Sequence, residues 1–247
     1  MSDLYKKLKR QIEILGFALQ KTQEYKKLDC EIQFGCNIAT IERDLKTLRD
    51  RDIDIHSTKR GIKVDTSIQP DVLRELIFQY FGLASTSIVY DRSIEFLVAR
   101  LKEKALVNLV ILQRSIERKR MVVLDYERIP GNVEKGKCIS PLMLFQGDQE
   151  WRLLAVRSGN VKQYLVSKIK HIEATDKPCE DTILGDLHGL VNSSWNSWIS
   201  SDTYWIKLEL SKKGVELFGH RQFTLKQQLK LKKKRNRHLR SRSEWAE

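Results

Sequence analysis

Small polar and cationic side chains recur every third or fourth residue between positions 37 and 50. Arg43 and Thr40 carry groups that can hydrogen-bond to the edges of DNA bases, and Lys46 carries a charge suited to a phosphate. Apolar residues with a similar spacing form a second stripe: Ile38, Ile41, Leu45 and Leu48. We therefore expect an amphipathic helix over residues 38–50, with Asn37 as its N-cap. The residues expected to face outward are Thr40, Arg43, Lys46 and Thr47.

Two helices are predicted before this one. Residues 3–19 have an apolar side chain at every third or fourth position, and residues 25–34 form a shorter helical segment that Gly35 would end. The turn between the last two helices consists only of residues 35–37. Three helices with so tight a turn before the last are typical of a helix-turn-helix, whose last helix enters the major groove.

A short β-hairpin is expected next, from strands at residues 54–56 and 61–64. Lys59 and Arg60 would place two positive charges at its tip, where they are candidate phosphate contacts. A hairpin directly after a recognition helix is typical of a winged helix. A plain three-helix packing module or a protein-binding winged helix is the alternative, because residues 1–68 hold fourteen basic against eleven acidic side chains.

Residues 34–50 resemble the DeoR/YafY type of winged helix, whose recognition helix contains the pattern T-I-x-R-D-L. Residues 40–41 match its T-I and residues 43–45 match its R-D-L. Asn37 stands where that family usually has Ser, and Ala39 replaces a usual Arg. The candidate DNA-binding residues are therefore Asn37, Thr40, Arg43, Lys46, Lys59 and Arg60.

Residues 69–120 are predicted to form a helical connector. Amphipathic helices are expected over 71–80 and 93–102, and a helix that is apolar around most of its circumference is expected over 106–117. Residues 82–88 interrupt the pattern and are expected to hold a loop or a helix boundary. We expect so apolar a connector both to pack on the following domain and to form a dimer surface.

Residues 121–175 are predicted to form a small all-β domain. Polar turns that contain glycine separate four short runs of β-branched, aromatic and aliphatic residues, at 121–126, 138–145, 150–156 and 162–167. Parallel strands would need a crossover helix between each pair, and no helix fits between these runs. We therefore expect a compact β-barrel or sandwich and, for the whole chain, an α+β fold.

This region resembles a WYL domain. The resemblance rests on matching segments in the expected order: the helix end at 114–120, the strand end at 125–126, the segments 137–142 and 163–169, and Trp151-Arg152-Leu153 at the motif that names the family. It implies an SH3-like barrel. It also implies a transcription regulator, because members of this family commonly join such a barrel to an N-terminal winged helix.

The resemblance also implies a ligand pocket in the barrel. Its candidate residues are Tyr126, Lys137, Trp151, Arg152 and Lys168. An aromatic and cationic set of this kind suits a nucleotide or single-stranded nucleic acid. Leu165 and Lys168 replace two family arginines and Arg152 replaces the family tyrosine, so the alternative is a changed ligand or none. Trp151 and Tyr164 could instead be core residues, and Arg152 and Lys168 solvated charges.

Residues 176–247 are expected to form a C-terminal extension. A strand is predicted at 203–210 and a short helix at 211–218, and an apolar patch of Trp195, Trp198 and Ile199 is expected to cover the barrel. In related regulators such elements open an extension domain called WCX, which we expect to be incomplete here. The basic tract 227–242 allows three interpretations: a disordered arm with nonspecific DNA affinity, a helix continuing from residue 224, or the remains of that extension.

Composition limits the other functions. The net charge of +13 indicates a polyanionic partner, although residues 221–242 supply much of it, with ten basic side chains and no acidic one. The four cysteines and five histidines lack the spacing of a metal site or a catalytic triad, so we expect no metal, cofactor or catalysis. No apolar run is long enough to span a bilayer, so we expect a cytoplasmic protein without a membrane partner.

The expected function is that of a homodimeric, sequence-specific transcription regulator that binds double-stranded DNA. We expect it to act as a repressor and to respond to a nucleotide-type or nucleic-acid effector. The WYL resemblance also points to genes of anti-phage defence or the DNA-damage response. An RNA-binding or single-stranded nucleic-acid-binding accessory protein is the alternative. A nuclease is disfavoured because the sequence shows no clustered carboxylates.

Overall fold

The computed structural model describes residues 3–20, 24–82, 92–147, 150–180, 187, 191, 205–211, 213, 226–231 and 237–242. These residues form a mixed α+β fold with antiparallel strand pairs, so the expected fold class is confirmed at this level. The chain divides into two compact units. The first is Met1–Leu153 with Leu165–Cys179, and the second is Leu154–Tyr164 with Glu180–Glu247.

The first unit begins with three helices and a hairpin. The helices are α1 (Asp3–Leu19), α2 (Lys27–Phe34) and α3 (Ile38–Arg49), and the antiparallel hairpin consists of β1 (Ile55–Thr58) and β2 (Gly61–Val64). All five elements lie within two residues of the predicted bounds. The structure therefore confirms these elements individually.

Two residues set the turn between α2 and α3. Gly35 has the left-handed conformation (φ 60°, ψ 39°), and its N–H donates to the carbonyl of Glu31 at 2.9 Å, which ends α2. Asn37 is extended, and its Oδ1 accepts a hydrogen bond from the N–H of Thr40 at 2.9 Å. The predicted N-cap of α3 is thus confirmed.

The apolar stripe of α3 is buried except at its first residue. Ile41, Leu45 and Leu48 are buried, as expected, whereas the side chain of Ile38 is 40% exposed. The expectation for Ile38 was therefore wrong. The reason is its position: it is the first helical residue after the N-cap, at the end of the stripe.

Three further helices follow, α4 (Pro70–Gly82), α5 (Arg92–Leu101) and α6 (Glu103–Arg118). Helix α6 is buried along most of its length and contacts both α1 and the sheet strands. The two helices pack tightly at Gly16 of α1, where an added Cβ would lie 3.0 Å from Cβ of Val110. The expected packing of this connector on the β-domain is confirmed, while the expected dimer surface stays a prediction.

Five strands then form one sheet. They are β3 (Arg120–Ile129), β4 (Asn132–Gln146), β5 (Trp151–Arg157), β6 (Asn160–Leu165) and β7 (Ile169–Pro178), and their order is β6-β5-β4-β3-β7. A single 3-10 turn, Val166–Lys168, connects β6 to β7. Among the described residues no ladder joins the two edge strands, so the expected closed SH3-like barrel is not confirmed.

The pairing of strand β3 with each of its two neighbours, β4 and β7, is irregular near Tyr126. On β4 the Cα partner moves from Lys137, opposite Leu124, to Glu134, opposite Tyr126, so that strand carries an extra residue. Gly136 lies in this bulge with φ 64°, and its N–H donates to the Asp125 carboxylate at 2.8 Å. The β7 ladder also shifts between Asp125 and Tyr126. Bulges re-aim nearby side chains, so this part of β3 is a natural place for a site.

The second unit contains a separate antiparallel sheet of β8 (Trp205–Leu210), β9 (Lys226–Leu231) and β10 (Arg237–Arg242), in the order β8-β10-β9. The basic tract therefore contributes two strands, which corrects its interpretations as a disordered arm or a helix. In the register of this sheet, Leu239 is the Cα partner of Leu208 on one side and of Leu229 on the other. The expected apolar patch at 195–199 lies outside the described residues, as does all of the expected helix 211–218 except residues 211 and 213.

A helix that spans a membrane must be long and apolar. None of the helices in the described ranges has the length and hydropathy for one.

Candidate functional site

The exposed side of α3 carries two cationic side chains. Arg43 and Lys46 are exposed, and no hydrogen bond or ion pair of their side chains is found within the described part of the chain. The acidic residue between them behaves differently. Asp44 is only 1% exposed, and its carboxylate accepts from Nε of Arg10 at 2.6 Å and from Nε2 of Gln11 at 2.9 Å. Its charge is therefore neutralised from α1, on the inner side of the helix.

The start of α3 is less free to contact a ligand. Oδ1 of Asn37 accepts hydrogen bonds from both the N–H and the hydroxyl of Thr40, at 2.9 and 2.8 Å. Glu42, one turn on, pairs with Lys27 at 2.9 Å, and the hydrogen bond and charge of this lysine lower the pKa of the Glu42 carboxyl. The amide of Asn37 remains exposed, while the hydroxyl of Thr40 would have to leave Asn37 to donate to a base.

The hairpin tip is the second cationic element. Lys59 and Arg60 are exposed, and their side chains have no ion pair in the described ranges. The turn itself is held by Thr58, whose hydroxyl donates to the carbonyl of Gly61 at 2.9 Å and accepts from the N–H of Arg60 at 3.2 Å. The tip is therefore a fixed turn that presents two positive charges.

Two contacts fix the hairpin relative to the helices. Arg49 at the end of α3 donates to the carbonyl of Ile55 at 3.0 Å, and the N–H of Ile62 donates to the carbonyl of Tyr25 at 2.7 Å. Gly61 allows this approach. Its φ is 137°, and an added Cβ would lie 2.9 Å from the carbonyl oxygen of Tyr25. The arrangement holds α3 and the tip on one scaffold, as a surface for a polyanion requires.

The second candidate site lies on the sheet around Tyr126. Lys137 is 8% exposed, and its ammonium lies 5.6 Å from the centre of the Tyr126 ring and in contact with the Glu134 carboxylate. The hydroxyl of Tyr126 accepts from the N–H of Leu165 at 3.1 Å. Burial is the main cause that raises the pKa of this phenol, so the hydroxyl stays protonated. The tyrosine is thus rigidly placed beside a cation.

Arg152 and Glu150 share this environment. The positive charge of Arg152 opposes the rise in the Tyr126 pKa, and the negative charge of Glu150 adds to it, so both act on the same phenol. The Arg152 side chain lies against the turn at Gly147, where an added Cβ would be 2.6 Å from its Nε. Glu150 also accepts from the hydroxyl of Ser167 at 3.2 Å.

Trp151 is placed apart from this group. Neighbouring residues of a strand face opposite sides of the sheet, so Trp151 and Arg152 point in opposite directions. Trp151 is 6% exposed, and its ring centre lies 4.6 Å from that of Phe81 on α4. Its indole N–H has no hydrogen-bond partner among the described residues. Lys168, the fifth predicted residue, donates to the carbonyl of Arg128 at 3.3 Å, near the end of β3.

The structure also adds residues that the sequence reasoning missed. Glu134 and Glu150 balance the cations around Tyr126, and Arg10 and Gln11 hold Asp44. The spacing of Glu134 and Lys137, three residues apart, is a weak signal because β4 bulges between them. The partners of Asp44 lie more than thirty positions away, and no local pattern marks them.

One family model matches part of the chain. Residues 107–174, from within α6 to within β7, match the family model described as WYL domain. Among solved structures, the chain is similar to proteasome accessory factor B/C (PafBC) of Arthrobacter aurescens, at 14% identity and a TM-score of 0.30. That alignment covers 96% of this chain, which spans 42% of the length of PafBC. No curated protein matches the chain in sequence. The predicted resemblance to the WYL domain is thus confirmed for residues 107–174.

Proposed function

We propose that this protein is a sequence-specific DNA-binding transcription regulator, a homodimer that acts as a repressor. The observation that carries the proposal is the division of charge on α3. Its cations Arg43 and Lys46 face outward and have no partner among the described residues, whereas its acidic Asp44 is buried and paired with Arg10. A helix with this distribution presents positive charge and hydrogen-bond donors to a major groove.

In this proposal residues 1–68 are a winged helix-turn-helix. Helix α3 reads bases through Arg43 and Thr40, while Lys46 and the tip residues Lys59 and Arg60 bind phosphates. Support comes from the fixed hairpin tip, whose two cations have no ion pair in the described residues. The connector 69–120 would form the dimer surface, and the extension 176–247 would complete the subunit.

We further propose that residues 121–175 form an SH3-like WYL domain that binds a nucleotide-type or nucleic-acid effector. The ring of Tyr126 would stack on a base, and Lys137, Arg152 and Lys168 would bind phosphate. Lys137 would then exchange the carboxylate of Glu134 for the phosphate. We assign Trp151 a packing role against Phe81, which holds the neighbouring Arg152 in place.

Helix α1 offers a connection between the two functions. Arg10 and Gln11 on α1 bind Asp44 of α3, and Glu13, on the same turn, binds Arg114 of α6. Helix α6 leads directly into β3, which carries Tyr126. An effector could alter DNA affinity along this route only if it binds one arrangement of these elements more tightly than another.

The protein would act in the cytoplasm and catalyse no reaction.

The rival function, binding of RNA or single-stranded DNA by the sheet and the basic strands, makes α3 dispensable. The test is therefore to compare the affinity of the unaltered full chain for duplex DNA with that of the double variant Arg43→Ala/Lys46→Ala. The matched control is Arg92→Ala/Lys135→Ala, which removes the same charge from two other exposed positions. The proposal predicts that only the first variant loses at least tenfold in duplex affinity. If both variants bind duplex DNA as tightly as the unaltered chain does, the result would favour the rival function.

A further inference from the structure

A cleft of about 580 Å³ lies in the first unit, apart from both candidate sites. Its walls come from α1, α2 and the segment before α2 on one side, and from α6, β3 and β7 on the other. No residue of the proposed DNA-binding or effector sets is among its described lining residues. Its volume lies within the range of small-molecule sites, about 300–1,000 Å³.

Three arginines line this cleft against one acidic side chain, Asp176. The guanidinium of Arg118 donates to the carbonyl of Gln33 at 3.4 Å, and that of Arg120 donates to the carbonyl of Asp176 at 2.7 Å. Both hydrogen bonds go to neutral backbone groups. In the described residues neither arginine has a carboxylate within ion-pair distance, so neither guanidinium forms an ion pair there.

The third arginine is held rigidly. Arg114 is 8% exposed and contacts the carboxylate of Glu13, and its guanidinium lies 5.2 Å from the ring centre of Phe17 and 5.0 Å from that of Phe34. Burial, followed by the nearby positive charge of Arg114, lowers the pKa of Arg118. Two like charges are thus kept close at the end of α6. A bound anion would relieve this repulsion.

The remaining wall suits the organic part of a ligand. The rings of Phe17 and Tyr25 have centres 4.9 Å apart, and both line the cleft. Gln20 and Thr175 add neutral hydrogen-bonding groups. A pocket with apolar rings, a few polar groups and unpaired guanidinium groups has the composition of a site for an anionic small molecule.

We propose that this cleft binds a phosphate-bearing small molecule, whose phosphate is held by Arg118 and Arg120. The guanidinium geometry favours phosphate, because each arginine can offer two parallel N–H donors. Asp176 can accept a hydrogen bond from a hydroxyl of the same molecule. Since the walls belong to both the N-terminal helices and the sheet, the ligand would contact both. This site is separate from the proposed effector site at Tyr126 and does not depend on DNA binding.

Isothermal titration of the full chain with inorganic pyrophosphate at about 0.15 M salt tests the proposal, because long-range attraction between exposed charges is largely screened there. We expect saturable binding to the unaltered chain and at least tenfold weaker binding to Arg118→Gln/Arg120→Gln. The single variant Arg92→Gln, which removes an exposed arginine at the start of α5, should bind within twofold of the unaltered chain. Circular dichroism melting checks that each variant is folded. If the double variant does not fold, Arg118→Gln alone should show the same direction of change.

Three results would overturn the assignment. The first is no saturable binding of pyrophosphate by the unaltered chain. The second is equal weakening by Arg92→Gln, which would mean that overall charge and not the cleft binds the anion. The third is loss of pyrophosphate binding in Tyr126→Leu/Lys137→Gln with binding retained in Arg118→Gln/Arg120→Gln, which would place the phosphate at the sheet site. If the Arg43→Ala/Lys46→Ala comparison contradicts the DNA-binding proposal, these three measurements still test the cleft, because none of them involves DNA.

Discussion

The carboxylate of Glu13 on α1 contacts the guanidinium of Arg114 on α6, and both side chains are almost fully buried. The two residues are 101 positions apart in the chain. The hydroxyl of Tyr80 on α4 donates to the other oxygen of Glu13 at 2.9 Å, so three helices meet at one carboxylate. A buried ion pair stabilises a fold only as long as both partners remain.

Removal of Glu13 is therefore expected to destabilise the first unit strongly. Glu13→Ala leaves the buried Arg114 without its counter-charge, and such a loss costs about 3–5 kcal/mol. Urea unfolding of the full chain measures the free energy. The double variant Glu13→Leu/Arg114→Met removes both charges and should recover at least half of the loss. A double variant that is less stable than Glu13→Ala would show that the ion pair is not the source of the effect.

Asp44 should matter for stability although it lies on the proposed DNA-binding helix. Asp44→Ala leaves Arg10 and Gln11 without their shared acceptor, and we expect a loss of about 2 kcal/mol. Glu42→Ala is the matched control, because Glu42 is exposed and its removal should change stability little. Thermal and urea unfolding report both values. Equal effects of the two substitutions would contradict the burial of Asp44.

Gly61 tests the packing of the hairpin on the segment before α2. In Gly61→Ala the new Cβ meets the Tyr25 carbonyl at 2.9 Å in addition to an unfavourable φ of 137°. Gly131→Ala is the control, because Gly131 also has a positive φ, 81°, but nothing lies within 4 Å of the added Cβ. We expect about 1 kcal/mol for the control and at least 1 kcal/mol more for Gly61→Ala. Similar unfolding free energies would show that the hairpin can move away from Tyr25.

Cys30 should resist alkylation in the folded chain. Burial raises the pKa of its thiol from 9.0 to about 12, and the thiolate is the reactive form. Because the folded pKa is the higher one, this thiol stabilises the fold below pH 9, and the contribution is lost as the pH rises towards 12. Iodoacetamide labelling at pH 8 with peptide mass spectrometry should show Cys36, which is partly exposed, reacting well before Cys30. Equal labelling rates would contradict the buried position of Cys30.

Local patterns predicted most elements but few of their long-range partners. Helix α3 followed from its apolar spacing, its N-cap Asn37 and the preceding Gly35, all of which act within a few residues. The burial of Asp44 could not be predicted, because it depends on Arg10, 34 positions earlier. Strand β7 was missed as a separate element. Its buried residues Ile169 and Ile172 are three positions apart. The pairing register with β3 shifts between them, which interrupts the usual burial of every second residue.

The residues of the candidate sites were also predicted only in part. The family resemblance predicted Tyr126, Lys137 and Arg152 as pocket residues, and the structure places these three in one environment. Trp151 was included on the family motif alone, and strand alternation turns it away from Arg152. The two strands in the basic tract were hard to predict, because a charged, apolar-poor stretch has no strong period.

The most direct test of the DNA-binding proposal is the affinity of the full chain for the duplex upstream of its own gene, measured against a scrambled duplex across a salt series. We predict a clear preference for the upstream duplex, with a footprint of two related half-sites. Arg43→Ala should reduce that preference by about 1–3 kcal/mol, and Lys46→Ala should lower the salt slope by about one. Equal and steeply salt-dependent binding to both duplexes, unchanged by Arg43→Ala, would contradict the role of α3 as a reader of sequence.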